Sequence, residues 1–155
     1  MGGRGASSGF YNKREVEVIR RDQAKDNGVN KVGTLAHTDV IEKEFGKLNT
    51  KEVIVTDKQY DHVGERHPEA LADLKKYGRN IVSDPDYIFN DAKHDNTIQL
   101  VKNLPSGKGK AVVKLSVEPI DAEKGYKNSI ITYQKISEKT FERLKRKHKQ
   151  LYKKD

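Results

Sequence analysis

The stretch Lys110-Ala111-Val112-Val113-Lys114-Leu115-Ser116-Val117-Glu118 alternates with a period of two. Ala111, Val113, Leu115 and Val117 fall on one face, and Lys110, Lys114, Ser116 and Glu118 share the other with Val112. This is the pattern of a half-buried strand in an antiparallel sheet, with one face on a core and the other open to solvent or ligand. Neighbouring segments read the same way. Tyr87-Ile88-Phe89 follows the turn Asp84-Pro85-Asp86, residues 97–102 end at Pro105-Ser106-Gly107, and residues 129–136 form a further strand.

Upstream the period changes. Asp39 reads as the cap of a short helix through Val40, Ile41 and Phe45, ended by Gly46. Glu52-Val53-Ile54-Val55-Thr56 is a short β-branched strand, and Asp57 reads as the N-cap of a two-turn helix carrying Tyr60, His62, Val63 and Arg66. His67 precedes Pro68, and a residue before proline is pushed out of the helical region. Pro68 opens a second helix that turns Leu71, Leu74 and Tyr77 toward the core. Downstream, Ser137 caps a last helix whose apolar stripe is Phe141, Leu144, His148 and Leu151. Helices first, then a run of antiparallel strands, then a basic helix define an α+β fold.

The chain has 155 residues, no cysteine and a formal net charge of +8. Disulfides, thiolate metal sites and a cysteine nucleophile are therefore excluded. No apolar run is long enough to span a membrane. The opening Met1–Gly9 is Gly/Ser-rich, lacks the apolar core of a signal peptide, and reads as flexible. Residues 10–27 mix charge with sparse apolar positions, and Asn27-Gly28 reads as a turn. Residues 1–30 are accordingly expected to be a leader or linker, and residues 31–155 a single domain. The basic excess is uneven: residues 138–155 carry +5, residues 1–30 carry +2 and residues 31–137 only +1. The terminal block, including Lys145, Arg146 and Lys147, is either a solvated helix end or a phosphate-steering tail.

The densest constellation of chemical groups is Tyr60-Asp61-His62-Val63-Gly64-Glu65-Arg66-His67-Pro68. His62 and Arg66 are four apart, so a helix sets them on one face. The proline stops the helix and frees His67 to turn back toward that face. Two imidazoles and a fixed guanidinium suit general acid–base transfer on a phosphodiester. The plainer alternative is that these groups cap helices or pair with Asp61 and Glu65. Histidines five apart do not match a zinc-binding HExxH helix, and no metal or other cofactor is assigned. Lys114 faces the open side of the sheet, as a phosphate contact or merely a solvated lysine. His148 reads as a packed histidine, while His37 and His94 fall in loops without a role.

The ordered series is familiar. It runs Val55-Thr56-Asp57, Asp61-His62-Val63, Glu65-Arg66-His67-Pro68, Asp84-Pro85-Asp86-Tyr87-Ile88, Asn96-Thr97, Val112-Val113-Lys114-Leu115 and Asn128-Ser129-Ile130-Ile131-Thr132-Tyr133, then Lys145-Arg146-Lys147. Over residues 50–148 it resembles the phage-associated barnase–EndoU–colicin–RelE-like nuclease domains. The resemblance implies N-terminal helices packed on a curved antiparallel sheet of about four strands, with a C-terminal basic helix. It also implies metal-independent RNA cleavage, with the substrate lying across the sheet. His62, Arg66 and His67 would stand at the helical edge of the site, and Lys114 and Thr132 on central strands. Which histidine is base and which is acid stays open. Asn96, Tyr133, Lys145, Arg146 and Lys147 would contact nucleic acid. The implied partners are RNA, with tRNA one class of it, an inhibitor or immunity protein, and a phage head protein, with no membrane. The implied setting is the host cytoplasm or a phage particle. The competing readings are a non-catalytic nucleic-acid-binding module and a phage structural or interaction domain.

Overall fold

The computed structural model describes Val16, Glu17, Arg20 and residues 28–155. The Gly/Ser-rich opening and most of the expected leader lie outside the described residues. Seven strands form one sheet: β1 (Val29–Thr34), β2 (Glu52–Thr56), β3 (Tyr87–Asn90), β4 (Thr97–Leu104), β5 (Gly107–Lys114), β6 (Asn128–Ile136) and β7 (Lys149–Lys153). Between them run α1 (Thr38–Phe45), α2 (Asp57–Arg66), α3 (Pro68–Ser83), α4 (Pro119–Glu123) and α5 (Glu138–Lys147). The strand order is β1-β2-β6-β5-β4-β3-β7. All neighbours are antiparallel except β2 and β6, which pair in parallel through Val53↔Asn128 and Ile54↔Ser129.

The α+β class stands, but the expected sheet of about four strands with the helices ahead of it is overturned. A strand precedes the helices, the sheet is mixed, and a strand follows the last helix. The helical stripe through His148 and Leu151 was misleading. Helix α5 ends at Lys147, His148 takes an extended backbone with φ −127° and ψ 144°, and Leu151 lies in β7. The chain turns there because β3 offers an unpaired edge, and Tyr87↔Lys153 and Ile88↔Tyr152 fill it. Ion pairs hold this edge strand: Lys149 with Glu44 at 2.9 Å and Lys154 with Asp84 at 3.0 Å.

One face of the sheet carries the main core. Ile41, Val63, Ala70, Leu74 and Ile81 of α1–α3 bury against Val53, Val55, Ile98, Ala111, Val113 and Ile130. On the second face, Phe141 and Leu144 of α5 cover Phe89, Val101 and Ile136. Val16 packs on Val112 and Ile131 on this same face. Arg20 is 8% exposed, pairs with Asp121, donates to the Leu115 carbonyl at 3.0 Å and stacks over Tyr126. That part of the expected leader is anchored to the domain.

Candidate functional site

Two sites emerge, and the chain builds them differently. The first lies at the junction of α2 and α3. Thr56 caps α2, its hydroxyl accepting from the Gln59 amide at 3.2 Å. Asp57, read as the cap, is instead the first helical residue. The buried Gln59 side chain donates to the Ile131 carbonyl and fixes α2 on the flank of β6. Val63 anchors the next turn in the core. His62 and Arg66 share the outward face, half-buried and exposed respectively.

His67 ends one helix and begins the next. Its amide donates to the Val63 carbonyl at 2.8 Å, and its own carbonyl accepts from Ala70 and Leu71 at 2.9 and 3.1 Å. Its backbone leaves the helix at φ −145°, ψ 80°, with Pro68 at the first helical position of α3. The two helices then approach closely, since a β-carbon at Gly64 would stand 2.8 Å from Leu71 Cδ2. The break brings His67 onto the same crevice as Gln59, His62, Val63, Arg66, Thr132 and Tyr133. Its volume is about 10 Å³, room for no more than one water, so any phosphate must be met at its mouth.

Four of the five expected catalytic residues, His62, Arg66, His67 and Thr132, thus line one crevice. Lys114 does not join them. It faces a cleft of about 390 Å³ on the second face, lined by Val16, Glu17, Arg20, Lys93, His94, Asp95, Thr97 and Lys114. A further 350 Å³ cleft shares Arg20, Asp95 and Lys114 and includes Asn96, Glu118 and Asp121. Lys114 donates to the Asp95 carbonyl at 2.7 Å. Burial, with the nearby Arg20 guanidinium, holds its ammonium below the ordinary lysine value.

Among the expected nucleic-acid contacts, Tyr133 is corrected. It is fully buried in the core, because its strand position turns inward opposite Ala111. Asn96 takes a left-handed backbone at φ 51°, and its amide reaches Glu118 at 3.4 Å. Lys145, Arg146 and Lys147 are exposed on the last turns of α5, with Lys145 paired to Glu142 at 2.9 Å.

His94, given no role from sequence, stands 3.3 Å from Asp91, which also accepts from Gln99 at 3.1 Å. The readable signal was the alternation of Thr97 and Gln99 with Ile98 and Leu100, which puts polar groups on the second face. Arg20 had no such signal, since its partner Asp121 is distant in sequence. Among the described residues no cluster of three or more His, Asp or Glu is arranged to hold a metal ion, and no helix is long and apolar enough to cross a membrane. Comparison with protein-family models, characterised proteins and solved structures finds no match to this chain.

Proposed function

We propose that this protein is a metal-independent endoribonuclease that cleaves by transesterification at His62 and His67. One observation carries the reading: the helix break at His67–Pro68 brings His67 onto one crevice with His62, Arg66 and Thr132. The resemblance to the phage-associated nuclease domains points the same way.

The chemistry needs two proton transfers and charge stabilisation. One imidazole takes the proton of a ribose 2′-OH, and the freed oxygen attacks the adjacent phosphorus. The bond from phosphorus to the 5′-oxygen breaks, and the second imidazole, entering as imidazolium, gives its proton to that oxygen. The products are a 2′,3′-cyclic phosphate and a 5′-hydroxyl. Arg66, exposed at the mouth, pairs with the phosphate oxygens as charge builds on them. Thr132 offers a hydroxyl to the phosphate or ribose.

The test is RNA cleavage by the purified protein in EDTA. His62→Ala and His67→Ala should each lower the rate by about 10²–10⁴-fold, the usual worth of acid–base assistance. Intact RNA with wild type, or variants that cut as fast as wild type, would overturn the reading. A second reading, nucleic-acid binding without cleavage, draws on the exposed basic side chains Arg143, Lys145, Arg146 and Lys147 of α5. It predicts salt-sensitive RNA binding that is lost when these residues are neutralised while His62→Ala and His67→Ala bind normally.

A further inference from the structure

Lys114 and Thr132 belong to different clefts, yet they lie on one face of adjacent strands. Thr132 stands opposite Val112, and Lys114 is two residues farther along β5 on the same face. The register shifts between Val112 and Val113, where β6 carries an extra residue and Lys114 pairs with Ser129, so a strand spacing near ~4.8 Å and a rise of about 3.4 Å per residue set the separation only as on the order of 8 Å. That is comparable to one nucleotide step of an extended RNA chain.

The cleft at Lys114 is a built one. Thr97 stands directly across from Lys114 on β4, the loop after β3 supplies Lys93, His94 and Asp95, and the anchored segment supplies Val16, Glu17 and Arg20. Its volume of about 390 Å³ accommodates a nucleotide-sized group. The carboxylate of Asp121 is engaged by Arg20 and by the Val117 and Glu118 amides. Among the described residues Lys114 forms no ion pair and donates to the neutral Asp95 carbonyl, while the charges of Asp121, Asp95 and Glu118 act on its ammonium from a distance. Burial of this ammonium beside Arg20 outweighs the favourable charges of Asp121, Asp95 and Glu118, and a bound anion offsets the remaining cost. The depressed lysine value noted above has the same origin.

We propose that this cleft is a phosphate subsite that holds the phosphodiester next to the one being cut, with Lys114 as its cation and Lys93 and His94 along its wall. The proposal rests on the ribonuclease reading for the identity of its chain. It makes Lys114 a substrate-binding residue one nucleotide removed from the reacting phosphate.

Two measurements on the full chain test it. The first is cleavage of an RNA dinucleotide, with one phosphodiester, against a trinucleotide, with two. In wild type the second phosphodiester should raise kcat/KM about tenfold, the equivalent of roughly 1.4 kcal/mol. Lys114→Ala should lose that gain, so that its trinucleotide-to-dinucleotide ratio of kcat/KM falls to about one. The second is fluorescence anisotropy with a 2′-deoxy oligonucleotide, which lacks the attacking hydroxyl, over a range of salt. Lys114→Ala should shallow the log–log salt dependence by about 0.7, the value for one phosphate contact on a single strand. Lys93→Ala, at an exposed position, should shallow it in the same direction and serves if Lys114→Ala does not fold.

Cleavage that is indifferent to length and a salt dependence unchanged in both variants would overturn the subsite and leave the nuclease reading standing. No cleavage by wild type, with a salt dependence that still needs Lys114, would overturn the nuclease reading and support the cleft as a phosphate site. Inorganic phosphate that competes as well as the oligonucleotide, and only when Lys114 is present, would mark a free-phosphate site and overturn the chain subsite.

Discussion

The ring of Tyr133 in β6 lies over Gly109 in β5, so that a β-carbon at Gly109 would stand 2.9 Å from Tyr133 Cζ and closer still to its oxygen. Tyr133 is fully buried, and among the described residues its hydroxyl has no hydrogen-bond partner. Burial, with the charge of Asp73, raises its pKa far above the usual phenol value. Gly109→Ala should therefore destabilise the fold by about 1–3 kcal/mol through overpacking, read as a lower urea midpoint at constant m. Tyr133→Phe should leave stability unchanged or raise it, because no hydrogen bond is lost and a buried unsatisfied hydroxyl is removed. A marked loss with phenylalanine would show that the hydroxyl is satisfied in solution.

The parallel junction of β2 and β6 is short and depends on Asn128. Its buried amide donates to the Thr50 and Glu52 carbonyls at 2.8 and 2.9 Å, and its carbonyl accepts from the Ser116 amide at 2.8 Å. Asn128→Ala leaves these backbone groups without their partner and should cost about 3 kcal/mol, given roughly 1–3 kcal/mol for each unsatisfied buried group. Amide exchange should locate the damage, with β1 and β2 losing protection before β4 and β5. Uniform loss across the sheet would argue against a local role.

Asn128 also shows why the sheet was only partly readable. Alternation gives the faces of β5, and a compact β-branched run gives β2 as Glu52–Thr56. Neither reveals that β2 runs parallel to β6, because only two backbone pairs, braced by the Asn128 amide, make that junction. The edge strands β1 and β7 hold few apolar residues, and backbone pairing with a neighbour decides them. In β7 the misreading has a definite cause: Phe141, Leu144, His148 and Leu151 fit a helical period although only the first two are in α5. The crevice was more legible. A proline after His67 dictates the helix break locally, and four-residue spacing pairs His62 with Arg66. Lys114 was placed on the right face, but a strand period says nothing of which loop walls stand above it.

The capping of α2 gives a smaller and more local test. Thr56→Ala removes the hydroxyl that accepts from the Gln59 amide and should cost about 1 kcal/mol. Gln59 itself ties the helix to the Ile131 carbonyl, so Gln59→Leu leaves that carbonyl unpaired in the interior and should cost more. Both changes loosen the element that carries His62 and Arg66. Under the ribonuclease reading kcat should fall in Gln59→Leu even below its unfolding transition. Activity that follows only the folded fraction would separate stability from positioning.

Acid should weaken the protein in two steps, the first set by His148 and the second by Asp91 together with Glu44 and Asp84, whose carboxyls Lys149 and Lys154 hold below their ordinary range. His148 Nδ1 accepts from the Ala92 amide at 3.0 Å, which requires the neutral ring with its proton on Nε2. Burial lowers its pKa; Asp91 opposes this, while Lys110, Lys93 and Lys147 reinforce it. The folded value thus lies below the unfolded value near ~6.5. The unfolded chain takes up the proton first, so the His148 contribution is complete above that pH and falls as pH drops through the folded value. For Asp91, burial acts to raise the pKa, but the Gln99 amide, the Lys93 amide and His94 outweigh it and hold the carboxyl below its ordinary range. Its contribution is complete above the unfolded value near ~3.9 and is lost at lower pH, as the folded value is crossed. Urea midpoints measured from pH 8 downward should show wild type weakening first below about 6.5 and again below about 3.9. His148→Gln should shallow the first step and Asp91→Asn the second. A first step of full size in His148→Gln would assign that titration to another group.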